Sequence, residues 1–270
     1  MGIHPTALVA DGAQLGAGVE IGPYCIVDGT AKLGDGVRLL SHVTIGPRTE
    51  IGARTVVHQQ AVLGGEAQIR GNDAPEARLV IGADNVIREG ATISLGSARG
   101  HNLTSVGDNC FLMAGVHIGH DCEVGNGVTF SNGVMLGGHC QIGDGVIIGG
   151  LSAAQQFARV GRYALISGLS GMSTDVIPYG MAIGLHVRLG GLNLIGLKRR
   201  GVPRANIHAL RAAFRAIFRE WPESIRNNAI RAQEQWGTVP EVAEVIGFIL
   251  APAKRPITPA RSGRDDTGEE

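Results

Sequence analysis

The stretch "MAGVHIGHDCEVGNG", residues 113–127, places His117 and His120 three residues apart, with Asp121 directly after the second. A third histidine, His139, follows within "LGGHC". A neutral imidazole near pH 7 can take a proton from an attacking hydroxyl or amine. A neighbouring carboxylate can hold the ring and stabilise the imidazolium. The same side chains could instead ligate zinc, which needs three protein ligands at roughly 2.0–2.1 Å and one open position. They could also be surface histidines on a turn. The residues alone leave these three readings open.

The elements that must position them follow a six-residue beat. Stepping by six from Ile3 meets Val9, Leu15, Ile21, Val27, Leu33 and onward to Ile69; Pro75 interrupts, and Ile81, Ile87 and Ile93 resume. The beat is lost through "SLGSARGHNLTS" and returns out of phase from Val106 to Met172, with glycine often following the aliphatic. A period of six fits neither an α-helix nor one long strand. It fits short strands joined by corners, three hexads to a coil, in a parallel β-helix of about ten coils stacked at roughly 4.8 Å. Residues 65–78 and 94–105 should leave the prism as loops. His120 and His139 then lie about one coil apart near the same edge. A flat prism face offers no cleft by itself, so a neighbouring subunit is expected to supply the second wall.

The four cysteines, Cys25, Cys110, Cys122 and Cys140, each sit two residues before an inward aliphatic and are expected to be buried filler, since no CxxC occurs. The chain of 270 residues is 44% hydrophobic and formally neutral, with 42 glycines and 4% aromatics. Neutrality and the lack of interleaved aromatics speak against nucleic acid. No apolar run of about 18 residues could span a bilayer, and "MGIHPTALVADG" lacks the layout of a signal peptide. A cytoplasmic protein is expected.

The prism domain is placed at residues 1–189, with a small α-helical C-terminal domain at 190–257 and a disordered tail at 258–270. "NLIGLKRRG" predicts a short helix ending in basic residues. "PRANIHALRAAFRAIFREW" puts Ile207, Leu210, Phe214, Ile217, Phe218 and Trp221 on one helical face, and two further helices follow. Lys198, Arg199 and Arg200 are three adjacent cations that call for an anion if they face a cleft.

"HIGHDCEVGNGVTFSNGVMLGGHCQIGD", with "GPYCIV" before it and "GLNLIGLKRRG" after it, resembles the acyl-ACP:UDP-N-acetylglucosamine O-acyltransferases of lipid A biosynthesis. The resemblance extends to "IHPTALV", "DVIPYGMAIG" and the helical tail, to about residue 257. It implies a left-handed β-helix forming homotrimers, with sites between subunits, acyl carrier protein as donor, a nucleotide sugar as acceptor, and no cofactor. The family's catalytic base falls on His120, its orienting acid on Asp121, and its oxyanion-binding backbone on Gly138. His117 and His139 match further cleft histidines. Gln156, His186, Asn193, Arg199 and Arg200 match the donor and acceptor channels, and Gly168 the floor of the acyl groove. The i, i+3 spacing departs from the zinc ligands of the gamma-class carbonic anhydrases, which share this fold, so no metal is expected.

The chain departs from the family at Ser94-Leu95, where a His-Arg pair is usual, at Gln155 for a histidine and at Ile195 for a glutamate. The acceptor-loop lysine has only Arg70 nearby. These departures imply an altered acceptor preference. The leading reaction is acyl transfer to the 3-position of UDP-N-acetylglucosamine. The alternatives are transfer to another nucleotide sugar, such as the 3-amino analogue, or a non-catalytic trimeric homologue.

Overall fold

Short strands, most of two residues, stack in register every 18 residues, as in Phe111–Leu112 on Thr129–Phe130 on Ile147–Ile148. The computed structural model describes residues 2–261. Among them the strands form three parallel sheets of eleven, nine and eight strands, the three faces of a left-handed β-helix. The first face runs from Gly2–Ile3 to Arg188–Leu192, the second from Leu8–Val9 to Gly171–Met172, and the third from Gln14–Leu15 to Arg159–Val160. Only the last pairing, Gly180–Ile183 with Arg188–Leu192, is antiparallel.

One aliphatic per hexad points inward. Leu112, Ile118, Leu136 and Ile148 are fully buried, each withdrawing an apolar side chain from water, for roughly 1.5–3 kcal/mol apiece. Ile3 is exposed and Val9 and Leu15 are half-buried, because among the described residues only one neighbouring coil packs on the first turn. Ile69 falls outside the prism, within the excursion between Val62–Gly65 and Arg78–Ile81. The second excursion joins Thr92–Ser94 to Leu103–Val106. Both lie where the beat fails.

The cysteines are buried and unpaired, and they do more than fill space. Cys25, Cys110, Cys122 and Cys140 donate their S–H groups to the carbonyls of Leu40, Gly125, Gly137 and Gln155. Each acceptor lies 15 residues later, at a corner of the next coil. Ser152 does the same for Ser167. Burial pushes the Cys25 and Cys110 thiols up from their ordinary value, which keeps them protonated and unreactive.

Among the described residues four α-helices follow the prism: α1 (Leu194–Arg199), α2 (Arg204–Arg215), α3 (Ile225–Trp236) and α4 (Pro240–Leu250). Ile207, Leu210 and Phe214 are buried on one side of the second helix, as its periodicity predicts, and Ile217, in the turn that follows, is buried too. Trp221 does not continue that face. A π-helical turn over Ala216–Glu220 ends the helix, and Trp221 is extended and packs on Trp236, with ring centroids 6.2 Å apart.

The tail expected to be disordered from residue 258 is folded through Arg261. Thr258 is buried, and its N–H donates to Asp175 O while Asp175 N–H donates to Pro256 O. Leu189 N–H donates to Pro259 O of this strap, and Arg261 N–H donates to Leu189 O. Proline-rich chain is compatible with such an edge, where alternate residues still present backbone groups to the sheet. Residues 262–270 of the expected tail lie outside the described residues.

Candidate active site

The edge between the second and third faces carries the cluster. His117–Ile118 is a strand of the second face and Glu123–Val124 one of the third, so His120 and Asp121 form the corner between them. One coil on, Gly138 and His139 occupy the same corner, and another coil on, Gln156 and Phe157. Asp121, His139 and Phe157 all have left-handed φ, at 57°, 61° and 67°. This conformation recurs at the corner every 18 residues and stacks the side chains in a column.

Asp121 Oδ2 lies 2.8 Å from His120 Nδ1. With Nδ1–H donating to the carboxylate, Nε2 keeps its lone pair. The same carboxylate accepts from Ser97 Oγ at 2.5 Å, from Ser97 N–H at 3.1 Å and from His101 N–H at 3.2 Å. Asp121 N–H donates to Thr104 Oγ1. Burial pushes the Asp121 carboxyl up, but the hydrogen bonds from Ser97 and His120 outweigh it and hold the group below its ordinary value. It is an anion at neutral pH.

His139 stands edge-on to His120, with centroids 5.0 Å apart, and stacks on Phe157 at 4.5 Å. Lys254 of the strap lies 3.7 Å above the other side of that column, over the Phe157 ring. Burial lowers the pKa of His139; Asp121 opposes this, while His120, Lys254 and His101 add to it. A cleft of about 480 Å³ opens here, lined by His101, Asp121, His139, Phe157 and Lys254 among others.

Gly138 lies against the His120 ring. A Cβ there would come within 2.4 Å of Cε1 and 2.5 Å of Nε2. Its N–H finds no acceptor among the described residues. Gly138, whose backbone donor is unused among the described residues, therefore packs against the ring of a held imidazole. That pairing suits proton removal from a nucleophile and stabilisation of an oxyanion.

The other predicted residues divide by corner. His117 is not in the column: it stays on the second face, with Nδ1 2.8 Å from Thr92 Oγ1, and burial, then His120, lowers its pKa. Gln156 and His186 are exposed, and Gly168 is exposed at the edge between the first and second faces, next to Leu169. Asn193 caps α1, accepting from Gly196 N–H at 2.9 Å and donating to Tyr163 O at 3.0 Å. Arg200 lies 3.8 Å over the Tyr163 ring, at the edge between the third and first faces. Arg199 is exposed. One chain thus brings together His120, Asp121, Gly138 and His139, and leaves Arg200 and Gly168 on other edges.

The expectation that a lone prism leaves these histidines on an open face does not hold for His120. It is 7% exposed and Asp121 1%, because the excursion after Thr92–Ser94 folds back over them. Among the departures, Ser94 and Leu95 are buried, and Leu95 donates its N–H to Gly65 O in the prism. Gln155 and Ile195 are exposed.

Sequence reasoning missed Ser97, His101, Thr104, Phe157 and Lys254. Thr104 and Phe157 could have been found by counting coils, since Ser105 pairs with Glu123 and Phe157 lies 18 beyond His139. Ser97, His101 and Lys254 reach the corner by loop paths that no period encodes.

His120, Asp121 and His139 also offer ligand atoms within 4.8 Å of one another. Both carboxylate oxygens already accept hydrogen bonds, from Ser97 and His101 on one and from Ser97 and His120 on the other. That leaves two imidazoles where catalytic zinc takes three protein ligands. The donor set does not fit zinc without dismantling the network.

Residues 104–138 match the family described as bacterial transferase hexapeptide (six repeats), and residues 175–258 match "Udp N-acetylglucosamine O-acyltransferase; Domain 2". A Brucella ovis protein named acyl-[acyl-carrier-protein]–UDP-N-acetylglucosamine O-acyltransferase is 45% identical over 276 residues, covering 99% of this chain and 98% of that one. Among solved structures, the UDP-N-acetylglucosamine O-acyltransferase of Moraxella catarrhalis superposes with a TM-score of 0.91 at 36% identity, covering 96% of this chain and 100% of that one. The corresponding structure from Acinetobacter baumannii has a TM-score of 0.89 at 35% identity, covering 95% of this chain and 99% of that one.

Proposed function

The chain belongs to the acyl-[acyl-carrier-protein]–UDP-N-acetylglucosamine O-acyltransferase family, and from that premise we propose how its own residues carry out the transfer. It is an acyltransferase that moves a (hydroxy)acyl chain from acyl carrier protein to UDP-N-acetylglucosamine, the first step of lipid A biosynthesis. His120 Nε2 takes the proton of the 3-hydroxyl as its oxygen attacks the thioester carbonyl. Gly138 N–H stabilises the tetrahedral oxyanion. The intermediate collapses, the C–S bond breaks, and the imidazolium returns its proton to the departing thiolate. Asp121 holds the ring and balances its charge.

The observation that carries this reading is the imidazole held by Asp121, with Gly138 and its unused backbone N–H packed against the same ring. Arg199 and Arg200 would pair with the acceptor's phosphates, with Asn193, Gln156, His117, His139 and His186 lining the channels and Gly168 the acyl groove. Because Arg200 and His120 sit on different edges of one prism, the complete site requires a homotrimer in which neighbours face each other. Four unpaired thiols suit a reducing, cytoplasmic setting.

The test offers acyl-acyl carrier protein and UDP-N-acetylglucosamine to purified protein and reads product by mass spectrometry. His120→Ala should lower turnover by roughly 10²–10⁴-fold while the fold, read by circular dichroism, is retained. Turnover within a few-fold of the unmodified protein would remove His120 from the base role.

A further inference from the structure

Ser97 lies in the excursion between Thr92–Ser94 and Leu103–Val106, yet it is wholly buried. It is 24 residues from Asp121 and gives it two hydrogen bonds: Oγ–H to Oδ2 and N–H to Oδ1. Oδ2 is also the atom that accepts from His120 Nδ1. Serine, carboxylate and imidazole therefore form one chain of hydrogen bonds ending at His120 Nε2. We infer that Ser97 is a positioning residue of the reaction, fixing the Asp121 carboxylate so that its oxygen meets His120 Nδ1 and the Nε2 lone pair faces the acceptor.

This rests on His120 being the base. Two further features fit it. The loop seals the carboxylate so closely that a Cβ on Gly100 would come within 2.2–2.4 Å of the Asp121 carboxyl atoms. The Asp121 backbone is pinned by Thr104 Oγ1, so the remaining freedom is rotation of the carboxylate, which Ser97 removes. A hydrogen bond from Ser97 also draws charge from Oδ2 and moderates its pull on the imidazolium proton. The charged and titratable groups facing the carboxylate are His120, His139 and His101, with Glu123 beyond His101 and Lys254 beyond His139.

Ser97→Ala should lower kcat about 10–100-fold, the scale of losing an outer-shell partner that orients a reactive group, with KM for both substrates nearly unchanged. The acidic limb of the pH–rate profile should move to higher pH, because a barer carboxylate holds the imidazolium proton harder. Ser97→Thr keeps the hydroxyl and should recover most of the rate. In an Asp121→Asn background, Ser97→Ala should cost little more, since both act through one group. Were Ser97→Ala to unfold, Ser97→Cys, close in size with a weaker donor, should show a smaller loss in the same direction. A folded Ser97→Ala protein with kcat within about twofold of normal and an unmoved pH profile overturns the inference, as does additivity with Asp121→Asn. His120→Ala measured alongside separates the two ideas. Activity there sinks the base assignment, whereas an inactive His120→Ala beside a fully active Ser97→Ala sinks only the role of Ser97.

Discussion

His117 and His139 are both held by burial below the ordinary histidine pKa of 6.5, which makes protonation costly to the fold. Between the folded value and 6.5 the unfolded chain binds more protons, so stability rises with pH. The contribution of the neutral rings is complete above about 6.5 and is lost as pH falls through the folded values. Asp121 acts in the same direction at lower pH: its depressed pKa adds stability above its ordinary 3.8 that vanishes on acidification. The melting temperature should therefore decline by a few degrees between pH 7.5 and 5.5. In His117→Asn, which cannot ionise, that decline should be shallower. A slope unchanged in His117→Asn would mean that other groups set it.

The excursion after Thr92–Ser94 is the element on which the site depends, and glycine chemistry gives it a test with a control. Gly100→Ala puts a methyl against the Asp121 carboxylate, so the loop must lift. Overpacking of this kind costs about 1–3 kcal/mol, and turnover should fall roughly 10-fold or more as Ser97 and His101 lose their hold on the carboxylate. Gly247→Ala, on the exposed side of α4 with nothing within 4 Å of the new Cβ, should instead add about 0.5–1 kcal/mol. Denaturant midpoints and kcat of the two variants check both signs. The C-terminal strap is a second such element. It carries Lys254 onto Phe157 and ties residues 256–261 to Asp175 and Leu189, so this segment bears on the same corner as His120 and Asp121.

At the scale of the whole molecule, apolar side chains remain uncovered on a single prism: Leu8, Met135, Leu151 and Leu169 are each at least half exposed. Large apolar residues exposed on the second face, as Leu8 and Met135 are, and at its edge with the first, as Leu151 and Leu169 are, call for a partner surface, and a threefold arrangement would also bring the Arg200 edge of one chain towards the His120 edge of another. Sedimentation at micromolar concentration should give the mass of three chains. Co-expression of His120→Ala with an Arg199→Ala, Arg200→Ala variant should yield trimers more active than either parent, since some sites draw an intact edge from each chain. Absence of that recovery in proven mixed trimers would place the whole site within one chain.

A period of six, the small slot before each aliphatic and the corner position of His120-Asp121 and Gly138-His139 are local properties of the chain. They determine the coil, its inward residues and the column at one edge without further information, because an in-register stack repeats every 18 residues. The same local logic located the two excursions by the loss of the beat. It could not say where they go. Ser97 and His101 return to Asp121, Lys254 reaches Phe157 and Thr258 enters the prism edge through contacts that depend on loop closure and have no period. Trp221 left its predicted helical face for the same reason: a π-turn and the packing of Trp236 overrode a local pattern. That His120, Asp121, Gly138 and His139 share one corner was legible in the sequence; what buries that corner and holds its carboxylate was decided by tertiary structure, where groups distant in sequence satisfy one another's hydrogen bonds.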